Sequence, residues 1–482
     1  MSSTSGKTDS LKSQVVDGLK WSILAKLFTQ LFSWISTFMV IRILTPDDYG
    51  IIAVSMVFIA FISMFSTNGL ISALVRTQER DRVNGDQIFT LSIVLNVLMS
   101  AALALSAPAI AQAYDNPALR DVLWVLAALN PISSLSVVPV AHLQMEMRFK
   151  DKAVAESVAG LLGAITAFTC ATLGMAYWAL IAANIVMTVT RTFGMMYCAK
   201  SRFGVTTNMS GARELFGFAI NVQLGTLVWF LYNKFDTIII GRLLGVDKVG
   251  VYNVGSEVSS MPMTKVGSIV NEVGFAAFTK TKNDREASER YLKKANRMIG
   301  MLSFPVFFGL SVVANEVVIA LLGEKWAEAG VVIMALALIF PLRMSNMVST
   351  NYANAMGEAR FTFVNGLFTS IILISCITFG AMHGLLETAL AWVFGFLISY
   401  LIIMFRFNRK FGIKYSSYVS YLPALFISSI MWAVVYYVGA FLLPPELNVW
   451  LVLAIKIAIG GLVVIPFHAF VYLKELKALL KR

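Results

Sequence analysis

Arg42-Ile-Leu-Thr-Pro-Asp47-Asp-Tyr-Gly50-Ile-Ile-Ala-Val54 and, two hundred residues later, Arg242-Leu-Leu-Gly-Val-Asp247-Lys-Val-Gly250-Val-Tyr-Asn-Val254 are the stretches that decide the fold. Arg, Leu, Asp, Gly and Val recur in register without a gap, each time between two long apolar runs. A second echo sets Glu146-Met-Arg148-Phe149 against Glu358-Ala-Arg360-Phe361, with Pro131 and Pro341 about fifteen residues before it. Two echoes at nearly one offset mark an internal repeat.

The repeated unit is built for lipid. Of 482 residues 58% are hydrophobic and 14% charged, and the mean hydropathy is +0.74. A soluble domain carries about 25% charged residues. Gln87 to Tyr114, Ser157 to Thr190, Phe361 to Met382 and Tyr415 to Pro445 contain no Asp, Glu, Lys or Arg. Each can hold the ~20 apolar residues that cross a ~30 Å hydrocarbon layer. The reading is an all-α integral membrane fold of about fourteen spans, with no soluble catalytic domain.

Loop charge sets the topology. With fourteen spans, twenty-eight of the 39 basic residues fall in loops and tails on the side of both termini, five fall on the opposite side and six lie within spans. That asymmetry places both termini in the cytoplasm. The polar start, Met1 to Lys20, does not read as a cleavable signal peptide. The expected organisation is a tail at 1–20, an N-terminal lobe of six spans at 21–198 and a linker at 199–213. A second six-span lobe at 214–406, a loop at 407–417, two further spans at 418–473 and a tail at 474–482 follow. An even offset of six spans gives the lobes the same orientation, so they form a parallel repeat.

Ionisable side chains at bilayer depth cost roughly 2.5–3.5 kcal/mol on insertion scales and must face protein or water. Eleven lie well inside spans: Lys26, Glu156, Arg191, Lys234, Asp236, Glu257, Lys265, Glu272, Glu316, Arg343 and Lys456. In the eighth span Asn253, Thr264, Lys265, Ser268, Asn271 and Glu272 fall within about 80° of Glu257 at ~100° per residue. The helix thus presents a polar stripe, and its charges at Glu257, Lys265 and Glu272 are absent from their repeat partners Val57, Phe65 and Ser72. Lys26, Arg191, Lys234, Glu257, Lys265, Glu272 and Arg343 are the expected lining of a central cavity, the cations facing an anionic ligand. Internal ion pairing, for example Lys265 with Glu272 or Lys234 with Asp236, is the competing reading. Arg406 near a span end reads as a snorkelling anchor. The three cysteines and three histidines show no ligand spacing, so no metal and no cofactor are expected. The basic residues are scattered through short loops, which speaks against nucleic acid as a partner.

Several motifs resemble the bacterial polysaccharide-transporter family, the Wzx-type oligosaccharide flippases of the multidrug/oligosaccharidyl-lipid/polysaccharide superfamily. They are Gly18-Leu-Lys-Trp-Ser22, the Arg42 to Gly50 stretch, Gly69-Leu-Ile-Ser-Ala-Leu-Val-Arg76, Asn233-Lys-Phe-Asp236-Thr-Ile-Ile-Ile-Gly241-Arg242 and Gly323-Glu-Lys-Trp326. The resemblance covers roughly residues 15–415. It implies a bacterial inner-membrane transporter that moves an undecaprenyl-pyrophosphate-linked oligosaccharide between leaflets by alternating access. Membrane lipids, polymerase or export machinery and a coupling H+ or Na+ are the further partners it implies. Motif residues Arg42, Asp47, Gly50, Asp236, Arg242, Asp247 and Gly250 are expected to be structural or gating. The alternatives are a drug or cation antiporter of the same superfamily and, in another class, a membrane-embedded glycan polymerase or ligase. The short external loops leave such an enzyme little room for a catalytic site.

Overall fold

The computed structural model describes residues 35–64, 70–71, 74, 82–200, 203–208, 227, 230–231, 233–281 and 284–471, with the side chains at 82–84, 264–277 and 280 excepted. Among them the long elements are all helices. They are α1 (Pro46–Ser63), α2 (Arg82–Ala113), α3 (Ala118–Ser134), α4 (Val137–Met145), α5 (Phe149–Thr172), α6 (Trp178–Ala199) and α7 (Val246–Lys280). The chain continues through α8 (Arg285–Val312), α9 (Ala314–Leu321), α10 (Ala327–Ala355), α11 (Ala359–Ala381), α12 (Leu385–Phe411), α13 (Leu422–Tyr437) and α14 (Val449–Val471).

Ten helices among the described residues are long and apolar enough to cross a membrane, or eleven if α3 and α4, bent by 42°, form one span. The protein is therefore a multi-pass helical membrane protein. The first, second and seventh expected spans lie partly outside the described residues. Helix α7 is not among the ten, and its sequence gives the reason. It carries Asp247, Lys248, Glu257, Lys265 and Glu272 along one 35-residue element.

Contacts divide the chain into two compact units. One comprises Met1–Thr45, Ile62–Ala107 and Asp121–Ile220; the other comprises Pro46–Phe61, Pro108–Arg120 and Asn221–Arg482. The main division falls just past the expected linker, but the second unit also takes in most of α1 and the α2–α3 turn. The contacts of α1 with α7, described below, account for that.

In the first unit α5 packs along α6. Small residues make the approach close: Ala155, Ala159, Gly163, Ala167 and Ala171 form one buried stripe of α5, and Gly163 lies against Met187 and Ala183 of α6. In the second unit α11 packs along α12 in the same way, with Gly380 against Glu387 and Ala391.

The turns before these hairpins match in detail. Met147 (φ 54°) corresponds to Gly357 (φ 86°). Arg148 N donates to Leu143 O at 2.8 Å, and Glu358 N donates to Ala353 O at 2.9 Å. The next turns carry Gly174 and Gly384, both at positive φ. Structure thus aligns Arg148 with Glu358, in step with Pro131 and Pro341, whereas the Glu-x-Arg-Phe echo is displaced by two residues. Backbone geometry at the left-handed turn residue fixes the register here, and side-chain identity does not.

The second unit's core holds aromatic and polar layers. Phe304 packs with Tyr421, and Phe307 with Phe340. Ser345 donates to Asn296 Oδ1 at 2.8 Å and lies 2.9 Å from the Tyr400 hydroxyl, which accepts from Tyr421.

Candidate transport site and gate

Both copies of the decisive motif begin a helix, for different local reasons. Proline at the first helical position has its φ preset and needs no partner for a missing N–H, so Pro46 starts α1. In the second copy Gly245, at φ 103°, breaks the preceding helix before Val246 starts α7. The breaks are equivalent: Leu44 N donates to Val40 O at 2.9 Å, and Leu244 N donates to Ile240 O at 2.8 Å.

The two helix starts cross reciprocally. A methyl group at Gly50 would overlap the Val246 carbonyl, and one at Gly250 would overlap the Pro46 carbonyl. Pro46 is the repeat partner of Val246 as Gly50 is of Gly250, so the crossing has approximate two-fold symmetry. Only glycine at both positions lets the backbones meet. Gly50 and Gly250 are buried, whereas Arg42, Asp47, Arg242 and Asp247 are exposed.

Side chains reinforce the crossing. Tyr49 meets Trp326 edge to face at 5.5 Å, and Lys248 pairs with Glu328 at 2.5 Å. The Tyr114 ring covers Gly241, and its hydroxyl donates to Ile238 O at 3.5 Å. Burial pushes the Tyr114 phenol above its ordinary range, against the pull of Arg242.

The intramembrane charges sort into groups. Lys26 lies outside the described residues, as do the side chains of Lys265 and Glu272. Arg191 stands 3.8 Å from Glu156, both about half exposed on the α5–α6 hairpin. Lys456 of α14 meets Glu316 of α9 at 2.5 Å, the two side chains only 10% and 18% exposed. Each of these pairs compensates its own charges.

The remaining four lie in the second unit. Asp236 is buried and accepts from Tyr252 Oη at 3.1 Å, Trp392 Nε1 at 3.3 Å and Thr237 N at 2.7 Å. Lys234 is within electrostatic reach of both Asp236 and Glu257. Arg343 sits over the Trp392 ring at 4.8 Å and the Phe340 ring at 5.0 Å. Trp392 thus touches both the buried carboxylate and the guanidinium.

From Arg343 a cavity of about 320 Å³ runs between α10, α11 and α12. Its polar lining includes Arg343, Asn346 and Thr350 of α10 and Thr362, Asn365 and Thr369 of α11, with Ser349 of α10 beside them, and Met263 of α7 also borders it. Both triplets follow an i, i+3, i+7 spacing, which puts each on one helix face. Sequence reasoning singled out only Arg343 of these six. The others are uncharged, and the spacing was the signal that could have found them. Arg406 does more than anchor a span end: its Nε donates to Asn365 Oδ1 at 2.8 Å, and its guanidinium lies 5.1 Å from the Phe368 ring. Among the described residues no group of His, Cys, Asp and Glu is arranged to hold a metal ion.

Comparison with known proteins places these features. The family model described as "Polysaccharide biosynthesis protein" matches residues 39–331. The chain is 25% identical to the succinoglycan biosynthesis transport protein ExoT of Rhizobium meliloti (strain 1021), over 79% of this chain and 77% of that protein. It is also 25% identical to the lipopolysaccharide biosynthesis protein WzxC of Escherichia coli (strain K12), over 87% of this chain and 85% of that protein. Among solved structures, the lipid II flippase MurJ in its inward closed conformation superposes with a TM-score of 0.77 at 15% identity, covering 94% of this chain and 99% of that one. The chain has that fold.

Proposed function

The chain belongs to the polysaccharide biosynthesis protein family, and from that premise we propose that it is a membrane transporter that flips lipid-linked oligosaccharides for surface-polysaccharide assembly. The observation that carries the reading is the family match, which spans the gate motif and the charged helix α7 together. No covalent chemistry is required of the protein; its work is to shelter a polar head while it crosses the bilayer.

In finer detail, the reading is of fourteen spans in the bacterial inner membrane, with both termini cytoplasmic. Two six-span lobes of parallel orientation, 21–198 and 214–406, are joined by the 199–213 linker and followed by the 418–473 pair. The substrate is an undecaprenyl-pyrophosphate-linked repeat unit whose lipid tail stays in the bilayer. Alternating access moves the head, and H+ or Na+ supplies the coupling. Export or polymerase machinery receives the product. The Gly50–Gly250 crossing is the gate, in its closed state here, with Arg42, Asp47, Arg242 and Asp247 at its rim and Asp236 supporting the helix before α7. Lys26, Lys234, Glu257, Lys265, Glu272 and Arg343 line the path. Arg191, already paired with Glu156, contributes less to substrate than the other cations.

Deletion of the gene in its host tests this. Exported polymer is expected to fall and intact lipid-linked precursor to accumulate, with rescue by the wild-type gene. Unchanged polymer together with new sensitivity to cationic drugs would overturn the reading in favour of a drug antiporter.

A further inference from the structure

We infer that the cavity between α10, α11 and α12 is a subsite for an acidic sugar of the transported glycan, with Arg343 engaging the sugar's carboxylate. This deepens the transport reading and rests on it.

The lining favours a sugar ring over the pyrophosphate. A pyrophosphate carries several charges and is best met by several cations or converging N–H groups. Among the described residues Arg343 is the one cationic side chain in a lining otherwise made of amides, hydroxyls and apolar groups. Asn346, Asn365 and Thr369 line two helix faces with amides and a hydroxyl, and Thr350 and Thr362, whose hydroxyls donate to Asn346 O and Asn354 Oδ1, present acceptors beside them, which suits the hydroxyls of a pyranose. The rings of Phe361, Phe396 and Phe407 also line the space, and aromatic faces suit the apolar C–H face of a sugar. A volume of about 320 Å³ is at the lower end of the ~300–1,000 Å³ typical of small-ligand sites, room for a sugar unit or two.

Two details aim the site at a single negative charge. Arg343 is held by Phe340 and Trp392, and a positioned guanidinium matches a carboxylate with paired donors better than an ammonium does. Asn365 has its amide oxygen taken by Arg406 Nε at 2.8 Å, which turns it into an oriented donor at the cavity wall.

The test uses the full chain in lipid nanodiscs and a matched pair of probes, cellobiouronic acid and cellobiose, which differ by one carboxylate. Affinity is read by saturation-transfer NMR titration, with inorganic pyrophosphate as a third probe. Cellobiouronate is expected to bind about tenfold more tightly than cellobiose, the scale of one charge-assisted pair. Arg343→Gln should bring the ratio to about one while cellobiose binding persists, which also reports that the variant is folded. Asn365→Ala should weaken both sugars alike, and Arg343→Lys should keep only part of the preference.

Equal binding of the two sugars to the wild type would overturn the inference, as would a preference that survives Arg343→Gln. Arg343-dependent binding of pyrophosphate stronger than that of cellobiouronate would overturn it in favour of the phosphate end. Absence of sugar binding in a protein that still flips lipid-linked oligosaccharide would sink this subsite alone. Sugar binding without flipping would sink the transport reading instead.

Discussion

Lys456 and Glu316 illustrate how charge is tolerated in this fold. Two ionised groups out of water cost several kcal/mol each unless they meet closely, and here they meet at 2.5 Å with little exposure. Removing one partner leaves the other stranded. Lys456→Met is therefore expected to destabilise the protein by about 3–5 kcal/mol, whereas Lys456→Met with Glu316→Leu should recover most of that loss. Thermal unfolding in detergent checks this; a double variant no better than the single one would contradict it. Sequence could flag both residues as misplaced in lipid, but not that they pair, since 140 positions separate them. The same holds for Asp236, whose donors Tyr252 and Trp392 come from two other helices. Asp236→Asn would keep the shape but replace one acceptor oxygen by an NH2 donor, so that either Thr237 N or the Tyr252 and Trp392 donors lose their acceptor. A lower unfolding temperature with Arg343-dependent sugar binding reduced is the expected result; unchanged values of both would contradict the linkage through Trp392.

At the scale of elements, the crossing of α1 and α7 is the feature most directly written in the sequence. Glycine recurs at equivalent places in the two copies because each helix must admit the other's first-turn carbonyl. Overpacking of a tight contact costs about 1–3 kcal/mol. A cost of that size, borne only by the closed state, shifts an open–closed equilibrium by about 5- to 150-fold. Gly50→Ala and Gly250→Ala should then act alike. With Cys170, Cys198 and Cys376 replaced by serine, a cysteine at Asp47 should react faster with an impermeant maleimide in either glycine variant than in the parent. Equal rates would contradict the gate. The hairpin turns were harder to read. The repeated Glu-x-Arg-Phe string suggested one register, while Met147 and Gly357, alike in backbone conformation but not in side chain, set another. The α10–α11 cavity escaped notice because amides and hydroxyls carry no hydropathy penalty as conspicuous as a charge.

For the whole molecule, apolar runs made the multi-pass class legible, and short motifs made the family legible. The Lys456–Glu316 pair and the partners of Asp236 stayed hidden because they join helices distant in the chain. The proposed orientation predicts that a green fluorescent protein fused after Arg482 fluoresces in cells and that alkaline phosphatase inserted after Arg120 is active. The reverse pattern would invert the topology. Transport itself is tested most directly in proteoliposomes holding the purified protein and undecaprenyl-pyrophosphate-linked oligosaccharide. A membrane-impermeant glycosidase measures the fraction of heads exposed outside. The account predicts that the protein drives cleavage past the outer-leaflet share toward completion, and that Gly50→Ala slows it. Cleavage that halts at the level of protein-free vesicles would contradict the claim that this chain is a flippase.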